Sequence, residues 1–219
     1  MPCAMAGNPC DPLWYQEGRS CPHGIHVLLP FSTFTLPFHP QPIDWCAAVF
    51  CTLPFDWTLL WLLLMLRTPR GLRELSLTAL LLLDDVAILV LQAALQEPRP
   101  AESCLPSCGL PSGHAVICIS LTCWLSCELV ARQKGLRRWG GVLLVVAIHV
   151  PVTWAKVHLM DHTPLQVFSG AVLGAILGFG HFALLQRCYP HLSSSAWLVD
   201  NYGAKASGPD GYRSLSPEG

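Results

Sequence analysis

Two short stretches of the 219-residue chain concentrate side chains able to handle a phosphate group. The first runs Gln96-Glu97-Pro98-Arg99-Pro100 and continues past Cys104 and Cys108 to Leu110-Pro111-Ser112-Gly113-His114. The second is Lys156-Val157-His158-Leu159-Met160-Asp161-His162-Thr163-Pro164-Leu165-Gln166. Arg99 and Lys156 are cations that can hold phosphate oxygens. Ser112, Gly113 and His114 stand where a helix is predicted to begin, and a helix N-terminus offers free N–H groups and a positive dipole end to an anion. Gly113 lets the backbone approach such an anion closely. His114 and His162, meeting over one phosphate, can divide the work into nucleophile and acid. Gln166 follows His162 by four residues, so one helical turn can bring its amide against the imidazole. Each feature taken singly is commonplace in loops and helix starts. Their order, spacing and shared face carry the inference.

The elements that must position these residues are membrane helices. The chain is 52% hydrophobic and only 12% charged, with a mean hydropathy of +0.44, against about 25% charge in a soluble domain. Five apolar stretches, at 45–66, 74–95, 114–131, 139–156 and 165–187, approach the roughly 20 residues that cross a bilayer. The expected fold is therefore all-α, a multi-pass transmembrane bundle of about five spans. Residues 26–38 are apolar but short and interrupted by Pro30 and Pro37, which predicts an interfacial segment. Asp84 and Asp85 lie inside the second span, where carboxylates are costly and turn toward a bundle interior, a partner or water. Gly170, Gly174 and Gly178 repeat at the spacing of a helix-packing face. No secretory signal is visible at the start, so the first span is expected to act as the signal anchor. The organisation reads as a partly irregular N-terminal segment over 1–44, a membrane domain over 45–187 and a disordered tail over 188–219.

Five crossings put the N-terminal segment, the 96–113 loop and the 157–164 loop on one face. The opposite face carries Arg67, Arg70, Arg73, Arg132, Lys134, Arg137 and Arg138, while the short loops of the first offer Arg99, with Lys156 at the boundary. Loops rich in Lys and Arg stay cytoplasmic, which predicts that the two chemical loops face a lumen and that the tail is cytoplasmic. A net charge of -1 with no basic run argues against a nucleic-acid partner. The eleven cysteines have neither metal-site spacing nor the pattern of a disulfide scaffold. Cys104 and Cys108 can bridge on the lumenal side, where such bonds persist. Among lesser candidates, Asp161 reads as a solvated loop carboxylate, His158 as an interfacial polar residue, His149 as a contact for Asp84 or Asp85, and Cys188 as an inert cysteine.

With these motifs in place, the chain resembles the type 2 phosphatidic acid phosphatase superfamily, whose signature is K-x6-RP, then PSGH, then SR-x5-H-x3-D. Arg99-Pro100, Pro111 to His114, and Lys156 to His162 match it, and the likeness spans roughly residues 45–187. QEPRP at 96–100 and KVHLMDHTPLQVFSGAVLG at 156–174 are similar to dolichyldiphosphatases within that superfamily. The resemblance implies hydrolysis of a lipid-linked phosphate, first of all dolichyl (polyprenyl) diphosphate, at the lumenal face of the endoplasmic reticulum membrane, without metal or other cofactor. It implies His162 as nucleophile, His114 as acid and Gln166 as the group orienting His162. Arg99, Lys156, Ser112 and Gly113 would cradle the phosphate. Phosphatidate is the alternative substrate, and a catalytically weakened binding or scaffolding protein the alternative class.

Three departures stand out. Gln92 occupies the first-motif lysine position, Ala155-Lys156 replaces Ser-Arg, and Gln166 replaces the terminal Asp. Loss of one charged phosphate contact costs about 1.5–3 kcal/mol, about one to two orders of magnitude in turnover.

Overall fold

A computed structural model describes residues 9–29, 32–65 and 72–188. Helix α1 (Leu13–Gln16) is a single turn, followed by the antiparallel hairpin β1 (Gly24–Leu29) and β2 (Ser32–Pro37). Then come α2 (Pro42–Met65), α3 (Leu72–Leu95), α4 (Gly113–Arg132), α5 (Gly135–His149), α6 (Pro151–His158) and α7 (Pro164–Cys188). Among the described residues, four segments are long and apolar enough to cross a membrane: Leu75–Leu95, Gly113–Arg132, Gly135–His158 and Pro164–Cys188. A shorter apolar stretch, Pro42–Phe55, begins α2. The protein is thus a multi-pass helical bundle, with one small sheet besides. The 188–219 tail lies, but for Cys188, outside the described residues.

Local chemistry explains the helix starts. Pro42 takes the first helical position, where its missing N–H costs nothing, and Asp44 Oδ2 accepts the Gln41 N–H at 2.7 Å. That is the backward half of a capping box. Asp44 Oδ1 also pairs with His158 Nε2 at 2.8 Å, tying α2 to α6, while the His158 ring stacks on Trp154. At α7, Thr163 and Gln166 complete a full box around Pro164. The Gln166 N–H donates to Thr163 Oγ1 at 3.2 Å, and the Thr163 N–H to Gln166 Oε1 at 3.1 Å. Pro151 brings no N–H to the ladder, and the single span expected over 139–156 divides there into α5 and α6.

The tightest seam lies between α4 and α7. A Cβ on Gly170 would come within 2.6 Å of the Ser112 carbonyl oxygen, one on Gly174 within 2.3 Å of Val116 O, and one on Gly178 within 2.3 Å of Ser120 O. All three glycines are buried. Without side chains the two backbones meet, as small-residue stripes permit. Gly174→Ala should accordingly lower the unfolding temperature in detergent, at a cost of about 1–3 kcal/mol for overpacking against rigid backbone. The same change at Gly180, which faces open space, should leave it unmoved.

The adjacent aspartates part company. Asp84 is fully buried and meets Ser120 of α4, whereas Asp85 is exposed. His149 does not pair with either. It is buried, with Nδ1 on the Val145 carbonyl of its own helix at 2.9 Å. Outward-facing Leu82, Leu89, Leu143 and Ile176 are more than half exposed, as a lipid-facing surface requires.

The N-terminal segment departs most from its expected form. Residues 24–29 and 32–37, in the stretch expected to be an interfacial segment, pair as antiparallel strands in the register Gly24↔Pro37 to Leu29↔Ser32. Its apolar face reaches the bundle: Phe34 packs with Ala47, Ala48 and Cys51 of α2, and with Ala155 and Leu159 at the end of α6. Cys104 and Cys108 do not bridge to each other. Two disulfides, Cys10–Cys108 and Cys21–Cys104, instead tie the N-terminal segment to the loop before α4.

Candidate active site

The loop after α3, the turn after α6, the start of α4 and the hairpin converge at one end of the bundle. Arg99 sits at the centre. Its Nε donates to both the carbonyl and the hydroxyl of Ser107 at 3.1 Å, and Nη1 donates to the Asp161 carbonyl at 3.0 Å. Nη1 also lies 2.7 Å from His162 Nε2. Burial brings the guanidinium down to about 10, opposed by Asp161, so it remains a cation at neutral pH. Nη2 has no partner among the described residues and is available to an anion.

His162 is almost fully buried. Its Nδ1 lies 3.0 Å from the Gly109 carbonyl. An imidazole facing a carbonyl on one nitrogen and a guanidinium on the other has one assignable tautomer: Nδ1 carries the proton and Nε2 a lone pair. Burial, then the charges of Arg99 and Lys156, hold this imidazole well below the ordinary histidine range, outweighing the contacts with Gly109 and Gln166 that favour its charged form. The group is a neutral base with Nε2 directed at an arginine.

Gln166 holds the surroundings more than the ring. Its Nε2 donates to Glu97 Oε1 at 3.0 Å and to the Pro98 carbonyl at 2.8 Å, while Oε1 caps α7. The carbonyl that meets His162 Nδ1 belongs to Gly109, where an added Cβ would strike the Gln166 amide at 2.6 Å. The Gly109 carbonyl thus joins the Gln166 side chain against the His162 ring, and Gln166 also fixes the loop around it. The T-P-L-Q sequence carried a capping-box signal; nothing local marked Gly109.

Lys156 and Asp161 are both fully buried. Nζ lies 3.1 Å from Asp161 Oδ2 and donates also to the Thr33 carbonyl. The other carboxylate oxygen accepts the Thr35 N–H at 2.9 Å. Asp161 is thus no solvated loop residue but the counter-charge of the site's second cation. Two of the three ammonium protons are committed, leaving one for a ligand. The Thr35 hydroxyl accepts the Cys104 N–H at 2.9 Å, so β2 links the second chemical loop to the first.

His114, the second residue of α4, is half-buried and sits edge-on to Phe55 with ring centroids 4.8 Å apart. Its Nε2 lies 3.4 Å from Ser32 Oγ, whose own proton goes to the Cys51 carbonyl at 2.8 Å. Lys156, His162 and Arg99 are all within electrostatic reach of the imidazole. The Ser112 hydroxyl is buried and has no partner among the described residues, an orphan that an anion's oxygen would satisfy. The side of Gly113 where a Cβ would sit faces Ile88 at 3.5 Å, ordinary contact distance, so neighbouring protein atoms do not require glycine there. Gln92, at the lysine position, reaches the motif with a neutral donor: Nε2 to the Pro111 carbonyl at 3.0 Å. Ser32, Thr33, Thr35, Ser107 and Gly109 are the site neighbours that sequence reasoning missed.

Two curated proteins are similar to this chain in sequence. Dolichyldiphosphatase 1 from Dictyostelium discoideum is 27% identical over 133 residues, covering 56% of this chain and 57% of the relative. Lipid phosphate phosphatase gamma from Arabidopsis thaliana is 34% identical over 124 residues, covering 49% of this chain and 54% of the relative. Both are members of the type 2 phosphatidic acid phosphatase superfamily. Over the matched residues this chain is similar to both. It spans about half the length of each of these superfamily proteins. No family model matches the sequence, and no solved structure matches it either.

Proposed function

We propose that this protein is an integral membrane phosphatase acting on a lipid-linked phosphate or diphosphate, with dolichyl (polyprenyl) diphosphate, cleaved to the monophosphate, as its first substrate. The observation that carries the reading is the state of His162: a neutral imidazole, Nδ1–H on Gly109, Nε2 lone pair directed at Arg99. A phosphate entering the site takes up Arg99, the remaining Lys156 proton and the Ser112 hydroxyl, and so arrives with phosphorus before Nε2. Nε2 attacks, a P–N bond forms as the P–O bond to the leaving group breaks, and His114, which takes up a proton as the phosphate anion binds beside it, gives that proton to the departing oxygen. Water then attacks the phosphohistidine, giving its proton to His114 and releasing phosphate with His162 restored.

The dolichyldiphosphatase likeness supports the diphosphate substrate, and the lipid phosphate phosphatase likeness supports phosphatidate as a second reading. A weakened, ligand-binding form is favoured only by the Lys156–Asp161 pairing and the neutral Gln92. The site is assigned to the lumenal face of the endoplasmic reticulum membrane. Support comes from the positive charge of the opposite loops and from two disulfides beside the site, a chemistry of oxidising compartments.

Purified protein in detergent should release phosphate from dolichyl diphosphate with a higher kcat/KM than from phosphatidate; the reverse order would assign the second substrate. A glycosylation acceptor placed in the 96–113 loop should be modified and one in the 132–138 loop should not. Modification of the latter alone would reverse the topology. Because His162 binds its proton only well below the usual 6.5, acid should protonate the nucleophile late. The acid limb of kcat/KM, which reports the free enzyme, is expected below pH 6.5 once substrate ionisation is accounted for. A limb above 6.5 would contradict a neutral, charge-flanked His162.

A further inference from the structure

Asp85 is the middle residue of the span Leu75–Leu95, ten residues from either end. At about 1.5 Å per residue this is the centre of a hydrocarbon layer about 30 Å thick. The side of α3 that packs on the bundle presents Leu77, Leu80, Asp84 and Ile88, all buried. Asp85 lies on the other side, exposed, with Leu82 and Leu89 one turn away at 61% and 66% exposure. A carboxyl group therefore stands at mid-bilayer depth, where lipid tails offer it nothing, and intramembrane ionisable groups face partners or polar cavities.

We infer that the outer face of α3 docks a membrane helix of another protein carrying a lysine or arginine at mid-bilayer, with Asp85 as its counter-charge. Charge complementarity selects that occupant over a second copy. The second copy brings a like charge at Asp85. Its own mid-span surface offers no exposed base among the described residues: Lys156 is paired with Asp161, His158 with Asp44, His149 is buried and His181 is bonded to Ser76. Leu82 and Leu89 flank the carboxyl group on the same helical face and would pack on the partner, excluding lipid from the pair. The inference is independent of the phosphatase reading, since Asp85 lies outside the candidate active site.

The test uses the full chain in phosphatidylcholine vesicles with synthetic 21-residue polyleucine transmembrane peptides, association being read by energy transfer. A peptide with a central lysine should associate about tenfold more tightly than the all-leucine peptide. Asp85→Leu should erase that preference, and the nearly isosteric Asp85→Asn should weaken it strongly while keeping the shape of the helix. Equal association of the two peptides with the wild-type chain would overturn the proposal, as would a lysine preference that survives both substitutions. Asp85-dependent self-association in peptide-free vesicles would overturn it in favour of a second copy.

Discussion

His162→Ala should abolish phosphate release while leaving the fold intact, with a fall of about 10⁴ or more in kcat. Removing a nucleophile deletes the covalent route itself, whereas losing one proton-transfer group costs about 10²–10⁴. The alanine also leaves Arg99 Nη1 without its 2.7 Å partner and Gly109 O without its donor. Those are hydrogen bonds at the edge of the bundle, so melting should shift little compared with turnover. His114→Ala should block later: with a substrate of good leaving group, attack can proceed and a phosphorylated enzyme should accumulate. Trapping of label on wild-type and His114→Ala protein, and none on His162→Ala, is the expected pattern. Label on His162→Ala would remove His162 as nucleophile and move the attack elsewhere.

Asp161→Ala is expected to be the most destabilising substitution at the site. Its carboxylate is the counter-charge of Lys156, both side chains are fully shielded from solvent, and it also accepts the Thr35 N–H. Taking away one member of such a pair leaves a desolvated ammonium, and losses of about 3–5 kcal/mol follow. Replacing both at once removes the stranded charge. Lys156→Met with Asp161→Leu should therefore recover much of the stability in thermal unfolding while remaining poor in turnover, because the second cation proposed to hold the phosphate is gone. If the single Asp161→Ala variant melts like wild type, the pair is not an anchor of the fold. If the double variant is as unstable as the single one, the hydrogen bond to Thr35 rather than the charge is the main contribution.

The Asp161 case also marks where sequence reading stopped. Beside a histidine in a short loop, an aspartate gives no sign of burial, because the cover comes from a strand more than a hundred residues earlier. Thr33 and Thr35 bond to Lys156 and Asp161 across that distance, and Ser32 meets His114 the same way. Residues 26–38 lacked the length of a span and carried prolines, and their strand pairing was not read. The disulfide partners were equally hidden. Cys104 and Cys108 stand close together in the chain, yet their partners Cys21 and Cys10 are 83 and 98 residues away.

By contrast, the apolar stretches that predict membrane helices, the glycines at every fourth position and the proline-marked helix starts are determined locally. Hydropathy over about 20 residues requires a backbone that satisfies its own hydrogen bonds in lipid, and that alone yields helices close to those observed. Glycines 170, 174 and 178 then dictate close approach whatever helix lies opposite. The sequence also determined the chemical inventory: two histidines, an arginine, a lysine and a serine in a fixed order. Only tertiary structure decided what each of them does. It buried Asp161 against Lys156, put the Gly109 carbonyl on His162 Nδ1, and turned Asp84 inward while leaving its neighbour Asp85 facing out. Those choices depend on which backbone passes within 3 Å of a given side chain, and that follows from the packing of distant segments.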